Sequence, residues 1–243
     1  QTFNYLNILN PLKYIYLLES VLVNNVEKKI FSSFDKITLF SKIETSKINL
    51  KIKGKINQVD ESVDIVKNKY KFSKNNFRVL FIGNLDYLPN FLACRDFIER
   101  DLPLLKKKIP KIKFSIIGNV NKFKKFLLSG RPEVEVLGIK KDISKYVKNS
   151  ICGLANLQIA TGIQVKVLTY MSYGLPVICS KKVGKNFGGS VLSFNNKKEL
   201  HKIIFELKSD KIKSNKFSKK SLKLSKSLNW RRISFKYLKL INT

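Results

Sequence analysis

The sequence predicts an α/β fold built on a parallel sheet, and three observations predict it. From Arg78 onward, short apolar runs rich in β-branched residues alternate with longer stretches of helical spacing. Gly, Asn or Pro bounds most of those runs. Alternation of this kind marks βαβ units, whose crossovers make neighbouring strands parallel. Finally, 44% of the 243 residues are hydrophobic, enough to bury a core despite a formal net charge of +31.

The elements follow in order. Residues 12–33 carry apolar Tyr16, Leu17, Val21 and Val23 near helical spacing, with Pro11 where a helix start tolerates it. Asp35 to Phe40 predicts a short strand. Residues 42–77 are polar and Lys-rich; they predict a short helix, a linker around Lys51–Asp60, and a loop. Arg78–Ile82 is a strand stopping at Gly83. An amphipathic helix over 90–108 follows, with Phe91, Cys94, Phe97, Ile98 and Leu102 on one side. Strands over 113–117 and 134–137 stop at Gly118 and Gly138, with a helix near 121–129 between them. Asp142 can cap a helix over 143–149. The remaining expectations are strands at 151–155, 176–179 and 190–194, and helices at 162–173, 197–208 and most of 216–240. Three strands thus end in Gly, and ligands of such sheets bind at the strands' carboxyl ends. Glycines also end strands in any α/β fold, so each one alone is weak evidence.

Composition excludes several classes. Eleven Gly and 6 Pro exclude collagen-like and Pro/Gly-rich low-complexity chains, and 3 Cys exclude a disulfide scaffold. No run of about 18 apolar residues predicts a spanning helix. The positive charge is nearly all Lys, beside abundant Asn and Ile and only three Ala, a profile that matches AT-rich codon usage. Arg forks, which favour base and phosphate recognition, are scarce, so no specific nucleic-acid partner is expected. Cys94, Cys152 and Cys179 lie far apart among apolar residues and predict buried free thiols. His201 is the only histidine and falls in a helical stretch, which predicts a surface position. A multi-His metal site cannot be built from it, and no metal or cofactor is expected.

Chemistry concentrates in residues 156–180 (NLQIATGIQVKVLTYMSYGLPVICS). A strand leads into a loop, and a helix is expected to open at Thr161-Gly162. Gly162 lets backbone approach a bound group, and helix-start N–H groups suit phosphate. Lys166 could reach the same anion as a point charge, and Thr169 lies at i+8 from Thr161, roughly on one face. An ordinary α/β helix without a ligand accounts for the spacing equally well.

Residues 160–178 resemble the donor-binding stretch of GT-B glycosyltransferases of the family 4 type (glycosyl transferases group 1), with the pattern G-[ST]-G-I-Q-N-K-V-L-E-A-M-A-x-G-x-P-V-V. Phe81-Ile82-Gly83-Asn84 with Tyr87-Leu88-Pro89-Asn90, Phe114 to Gly118, Val136-Leu137-Gly138 with Asp142-Ile143 and Tyr146, and Ser227 to Trp230 match further pieces in order. Upstream, Glu27 to Glu44 resembles the end of that family's N-terminal domain, and Asn57-Gln58-Val59-Asp60 its interdomain turn.

The resemblance implies two Rossmann-like domains facing a cleft. It divides the chain into residues 1–57, a remnant of the acceptor domain; residues 58–226, the nucleotide-sugar domain; and residues 227–243, a closing helix that returns toward the N-terminal domain. Thr161, Gly162, Ile163 and Gln164 would line sugar and pyrophosphate, and Lys166 would hold the donor phosphates. Thr169 stands where the family has a ribose-binding Glu. Gly83, Asn84 and Ile139 would sit near phosphate and base. The implied chemistry is retaining sugar transfer from a nucleotide-diphosphate sugar to a saccharide or lipid-linked acceptor hydroxyl, in cell-surface polysaccharide or glycoconjugate synthesis, without a metal. No catalytic residue is assigned. The implied location is cytoplasmic, at or near the inner face of the membrane. The helix over 12–33 and the lysines around 47–55 could face anionic lipid, although a solvated face and linker is the plainer reading.

Departures mark the site: Thr169 for Glu, Gln158 for a frequent basic residue, Ala160 for Gly, Val165 for Asn, and Tyr170 for a small Ala whose replacement should alter packing. The family's N-terminal Gly-rich loop and acceptor pocket are not in the chain, so the expectation is a donor-half fragment, inactive alone. A diverged GT-B binding or scaffold protein, a nucleic-acid binder, and a nucleotide-sugar epimerase are the competing readings.

Overall fold

The structure is a computed structural model that describes residues 10–46, 54–67, 69–160 and 162–242. The chain divides into two compact units, Gln1–Asp60 and Glu61–Thr243. In the first, helix α1 spans Pro11–Ser33, with Pro in its opening turn and the Asn10 side chain accepting from the Leu12 N–H. Strand β1 (Ile37–Leu39) pairs in parallel with β2 (Ile56–Gln58) around the short helix α2 (Lys42–Thr45). Strand β2 lies inside the stretch expected to be linker, so Asn57 and Gln58 are strand rather than turn. Its three residues carry no alternation of their own; the partner 19 positions away, as in Ile37 opposite Ile56, makes the strand.

The second unit holds a six-stranded parallel sheet. Its strands are β3 (Arg78–Ile82), β4 (Lys113–Ile117), β5 (Val134–Gly138), β6 (Ser150–Ala155), β7 (Val177–Ser180) and β8 (Leu192–Phe194). Their spatial order is β5-β4-β3-β6-β7-β8, the doubly wound order in which the first strand lies at the centre. Every residue of β6 and β7 is buried, as a strand covered on both faces requires.

Helices α3 (Leu88–Asp96) and α4 (Leu102–Lys108) form the expected amphipathic stretch, joined by a π-helical turn at Phe97–Asp101. Pro103 explains the widening: it has no N–H to donate, and its ring collides with the carbonyl four residues back. Helix α5 (Lys122–Leu128) and helix α6 (Ser144–Lys148) follow; Asp142 Oδ1 accepts from the Ser144 N–H at 2.8 Å. Helix α7 spans Val165–Ser172, α8 Lys181–Gly184 and α9 Lys197–Ser209. The expected helix over 216–240 is two helices, α10 (Lys211–Ser227) and α11 (Trp230–Ile241). Between them Asn229 turns extended and accepts from the Arg232 N–H, restarting the helix at Trp230. Buried Ser214, Ser218, Ser221 and Ser225 line one stripe of α10 and let it lie close to α7, where Leu222 meets Gly174.

Candidate functional site

The point where a doubly wound sheet reverses its strand order is where its ligands bind. Here that point lies between β3 and β6. Their pairing runs through Arg78–Ser150, Val79–Cys152 and Leu80–Gly153, with a register shift after Arg78. Beyond Leu80 a side chain takes over from the ladder. The buried Tyr170 hydroxyl accepts from the Ile82 N–H at 2.7 Å and donates to the Leu154 carbonyl at 3.2 Å. A Cβ on Gly153 would lie 2.3 Å from the Tyr170 ring, so glycine there makes room for the tyrosine. The expected change in packing at Tyr170 is therefore a bridge between strands, paired with Gly153.

The loop before α7 departs from expectation. Gly162 has φ +59 and Gln164 is extended, so the helix opens at Val165 and Gly162 is not part of it. Left-handed backbone at Gly162 breaks any helix begun earlier. Lys166 accordingly sits in the first turn of α7, where backbone N–H groups lack intrahelical partners. Thr161, expected to share a face with Thr169, lies outside the described residues.

Lys166 is 8% exposed. Its Nζ donates to Asn90 Oδ1 at 2.5 Å and lies 4.1 Å from the Phe81 ring centroid. Among the described residues no carboxylate pairs with it. Burial pulls its ammonium down from 10.5 to about 8, partly opposed by nearby Cys94 and Cys179. Asn90 in turn donates to the Asn84 carbonyl at 2.8 Å, fixing the loop after β3. A Cβ on Gly83 would lie 2.9 Å from Asn90 Nδ2 and 3.1 Å from Lys166 Nζ, so a larger residue there would push Asn90 or the amine aside.

The three strand-end glycines form a connected rim. Gly83 N–H donates to the Ile117 carbonyl and Gly118 N–H to the Gly138 carbonyl. Gly118 adopts φ +145, and a Cβ there would lie 2.0 Å from the Gly83 carbonyl oxygen. The rim thus brings together Gly83, exposed Asn84, and Ile139, which is 72% exposed beyond Gly138. Ile163 packs partly against the core. The Thr169 hydroxyl donates to the Val165 carbonyl of its own helix at 3.0 Å, the usual fate of a helical threonine.

Two residues of this edge were assigned no role from sequence. Asn90 was matched only as the end of the family-like stretch Tyr87 to Asn90. Asn156, directly after β6, is buried; its Nδ2 donates to the Ala93 carbonyl, and its Oδ1 has no partner among the described residues.

A buried lysine with no carboxylate partner among the described residues thus stands against a glycine rim at the switch point. The model of the family described as glycosyl transferases group 1 matches residues 76–209, more than half of the chain. The chain belongs to this family. Solved structures share the fold. A mutant of S. aureus TarM in complex with Fondaparinux, alpha-GlcNAc-glycerol and UDP is 16% identical, with a TM-score of 0.70 over 89% of this chain and 46% of that one. Anabaena Alr3699/HepE with UDP-glucose is 12% identical, with a TM-score of 0.68 over 86% and 64%. The pneumococcal O-GlcNAc transferase GtfA with UDP and GlcNAc is 12% identical, with a TM-score of 0.59 over 87% and 45%. The chain therefore spans about half to two thirds of the length of these neighbours. Comparison with curated protein sequences finds no match.

Elsewhere in this glycosyl transferases group 1 chain, His201 is half-buried at the edge of a surface groove, not fully solvated. Its Nε2 lies 2.8 Å from Oδ1 of buried Asp101, which also meets Lys197, tying α9 to the π-helical turn. The apolar side of a helix that packs on the sheet carries it inward. Cys94, Cys152 and Cys179 are free and buried, and burial raises all three thiols. No metal-ligating cluster occurs among the described residues, and no helix among them is long and apolar enough to cross a membrane.

Proposed function

We propose that this chain is the donor-binding part of a glycosyltransferase using a nucleotide-diphosphate sugar. The observation that carries the reading is Lys166: a buried ammonium held by an amide and a ring, with no carboxylate to balance it among the described residues. A diphosphate would supply the missing charge, aided by N–H groups at the start of α7. Gly83, Gly162, Ile163 and Gln164 would approach the phosphates and sugar, and Asn84 and Ile139 would flank the base. UDP or UDP-sugar in the neighbours above supports a nucleotide donor. Retention of configuration, a saccharide or lipid-linked acceptor, and polysaccharide synthesis near a cytoplasmic membrane surface complete the reading. Isothermal titration of the longest available chain with UDP-glucose, UDP-GlcNAc and other nucleotide sugars tests it. Micromolar to millimolar binding of one of them is expected, and binding of none overturns the reading.

A second reading, a diverged binding protein, is favoured by Thr169. Its hydroxyl is engaged with Val165 at the position where the family pattern has a ribose-binding Glu. A charged hydrogen bond lost there costs about 1.5–3 kcal/mol of affinity. Thr169→Glu separates the two. A strong gain in nucleotide affinity marks a degenerate site; a loss marks Thr169 as part of a working one.

A further inference from the structure

At the opposite edge of the sheet from Gly83 and Lys166, the starts of β3 and β4 meet α4 and α9 around a groove. One cavity of about 600 Å³ has Phe77, Ile109, Pro110 and Phe205 in its wall, and a second of about 430 Å³ continues it past Leu104. They share Lys108, Ile109 and Phe205, so they form one depression. Lysines rim it from both sides. Helix α9 contributes Lys198, Lys202, Phe205 and Lys208, spaced four, three and three residues apart, which is one helical stripe. The facing segment contributes Lys107, Lys108 and Lys111, and the β3 approach contributes Lys74. Among the described residues no Asp or Glu lines either cavity. Nearby carboxylates are already engaged: buried Asp101 with Lys197 and with His201 of the second cavity's wall, Glu133 with Lys106, Glu135 with Arg78 and Lys113, and Glu206 with Lys213.

We propose that this groove docks the chain on a bilayer containing anionic phospholipid. Lipid phosphates would meet the lysine rim, and the exposed side chains of Leu104 and Phe205, 50% and 46% accessible, would enter the interface. Lysine suits such a contact, because its stem covers the apolar wall while its ammonium reaches the phosphate. A single-stranded nucleic acid would need free aromatic faces for its bases. Phe77 is covered by the Lys208 ammonium 3.8 Å from its centroid and by Lys111 at 5.9 Å, which leaves Phe205 as the one exposed ring among the described lining residues, too few to stack successive bases. The proposal is independent of the donor reading, and it concerns a different surface from α1.

Flotation with phosphatidylglycerol/phosphatidylcholine vesicles at physiological salt tests it, with phosphatidylcholine vesicles as the neutral reference. The native chain is expected to float only with the anionic vesicles. Each lysine near an anionic surface contributes about fivefold to partitioning. The triple variant Lys108→Glu/Lys111→Glu/Lys202→Glu should therefore lose at least about a hundredfold. Lys122→Glu/Lys216→Glu/Lys219→Glu carries the same net charge and should lose far less. Replacing the same three groove lysines by Gln adds no acid to the fold and should still cost about a hundredfold, which keeps the test decisive if the reversal prevents folding. Leu104→Ser/Phe205→Ser should weaken the salt-resistant part of binding. Equal losses in the groove and control triples would show bulk charge alone and overturn the proposal. So would a native chain that stays off anionic vesicles, or one that prefers a short single-stranded RNA at the same salt.

Discussion

Replacing Lys166 by methionine should make the protein more stable and a poorer binder. At neutral pH the folded chain holds a lysine whose ammonium titrates near about 8 instead of 10.5, which costs about 3 kcal/mol. Methionine fills similar space without a charge. Asn90 Oδ1 then loses its donor, which gives back about 1 kcal/mol. The net gain is about 2 kcal/mol, a rise in thermal midpoint of roughly 4–8 °C for a unit of this size. Binding should move the other way. A charged bond to phosphate is worth about 1.5–3 kcal/mol, so UDP-glucose affinity should fall roughly ten- to hundredfold. Thermal melts and titration calorimetry on the same preparation read both quantities. The pH dependence adds a check of sign. Between about pH 8 and 10.5 the unfolded chain binds the proton that the folded chain has lost, so this group makes stability rise with pH there; the variant lacks that rise. A midpoint that falls would show that Lys166 is structural. An affinity that stays unchanged would show that it meets no phosphate.

Other consequences follow from the same geometry. UDP-glucose affinity of the native chain should weaken roughly tenfold between about pH 7 and 9, as Lys166 loses its proton, and the dependence should vanish in Lys166→Met. Gly118→Ala should cost about 3 kcal/mol or more by denaturant unfolding, because its Cβ meets the Gly83 carbonyl at 2.0 Å in a backbone region alanine avoids. Gly130→Ala, whose Cβ meets nothing within 4 Å, should be close to neutral. Tyr170→Phe should destabilise by about 1–3 kcal/mol in the same assay, since Ile82 N–H and the Leu154 carbonyl lose the hydroxyl that bridges them. A neutral Tyr170→Phe would mean that the strands close on each other without it.

The sheet of the second unit was legible because its strands are short apolar runs with glycine brakes, and burial on both faces demands such runs whatever the order of the strands. Arg78–Ile82 and Lys113–Ile117 are strands for that local reason, while the edge strand Val134–Gly138, with only Val134 buried, was legible from its β-branched residues and its closing glycine. Strand β2 was not legible, because Ile56–Gln58 becomes a strand only through Ile37–Leu39. The start of α7 was misplaced for a similar reason. Glycine at 162 permits both a helix opening and a left-handed turn, and the φ of +59 was chosen by the surrounding loop. The break at Asn229 was hidden because Lys211 to Ile241 is helix-forming on both sides of one capping residue.

For the site, sequence supplied the segment and the tertiary structure supplied the relations within it. Gly83, Gly162 and Lys166 could be chosen from residue type and pattern, since glycine allows close backbone approach and a cation balances the charge of a diphosphate. That Lys166 is buried, rests on Asn90 and Phe81, and lacks a carboxylate among the described residues depends on groups distant in the chain. The same is true of Tyr170, an unexplained bulky residue until Gly153 stands opposite it. Local physics, propensity and period determine which residues can form strands, helices and turns, and the sequence carries that information alone. Burial, charge balance and hydrogen-bond satisfaction are properties of neighbours in space, so only the tertiary structure decided which of those residues share a site.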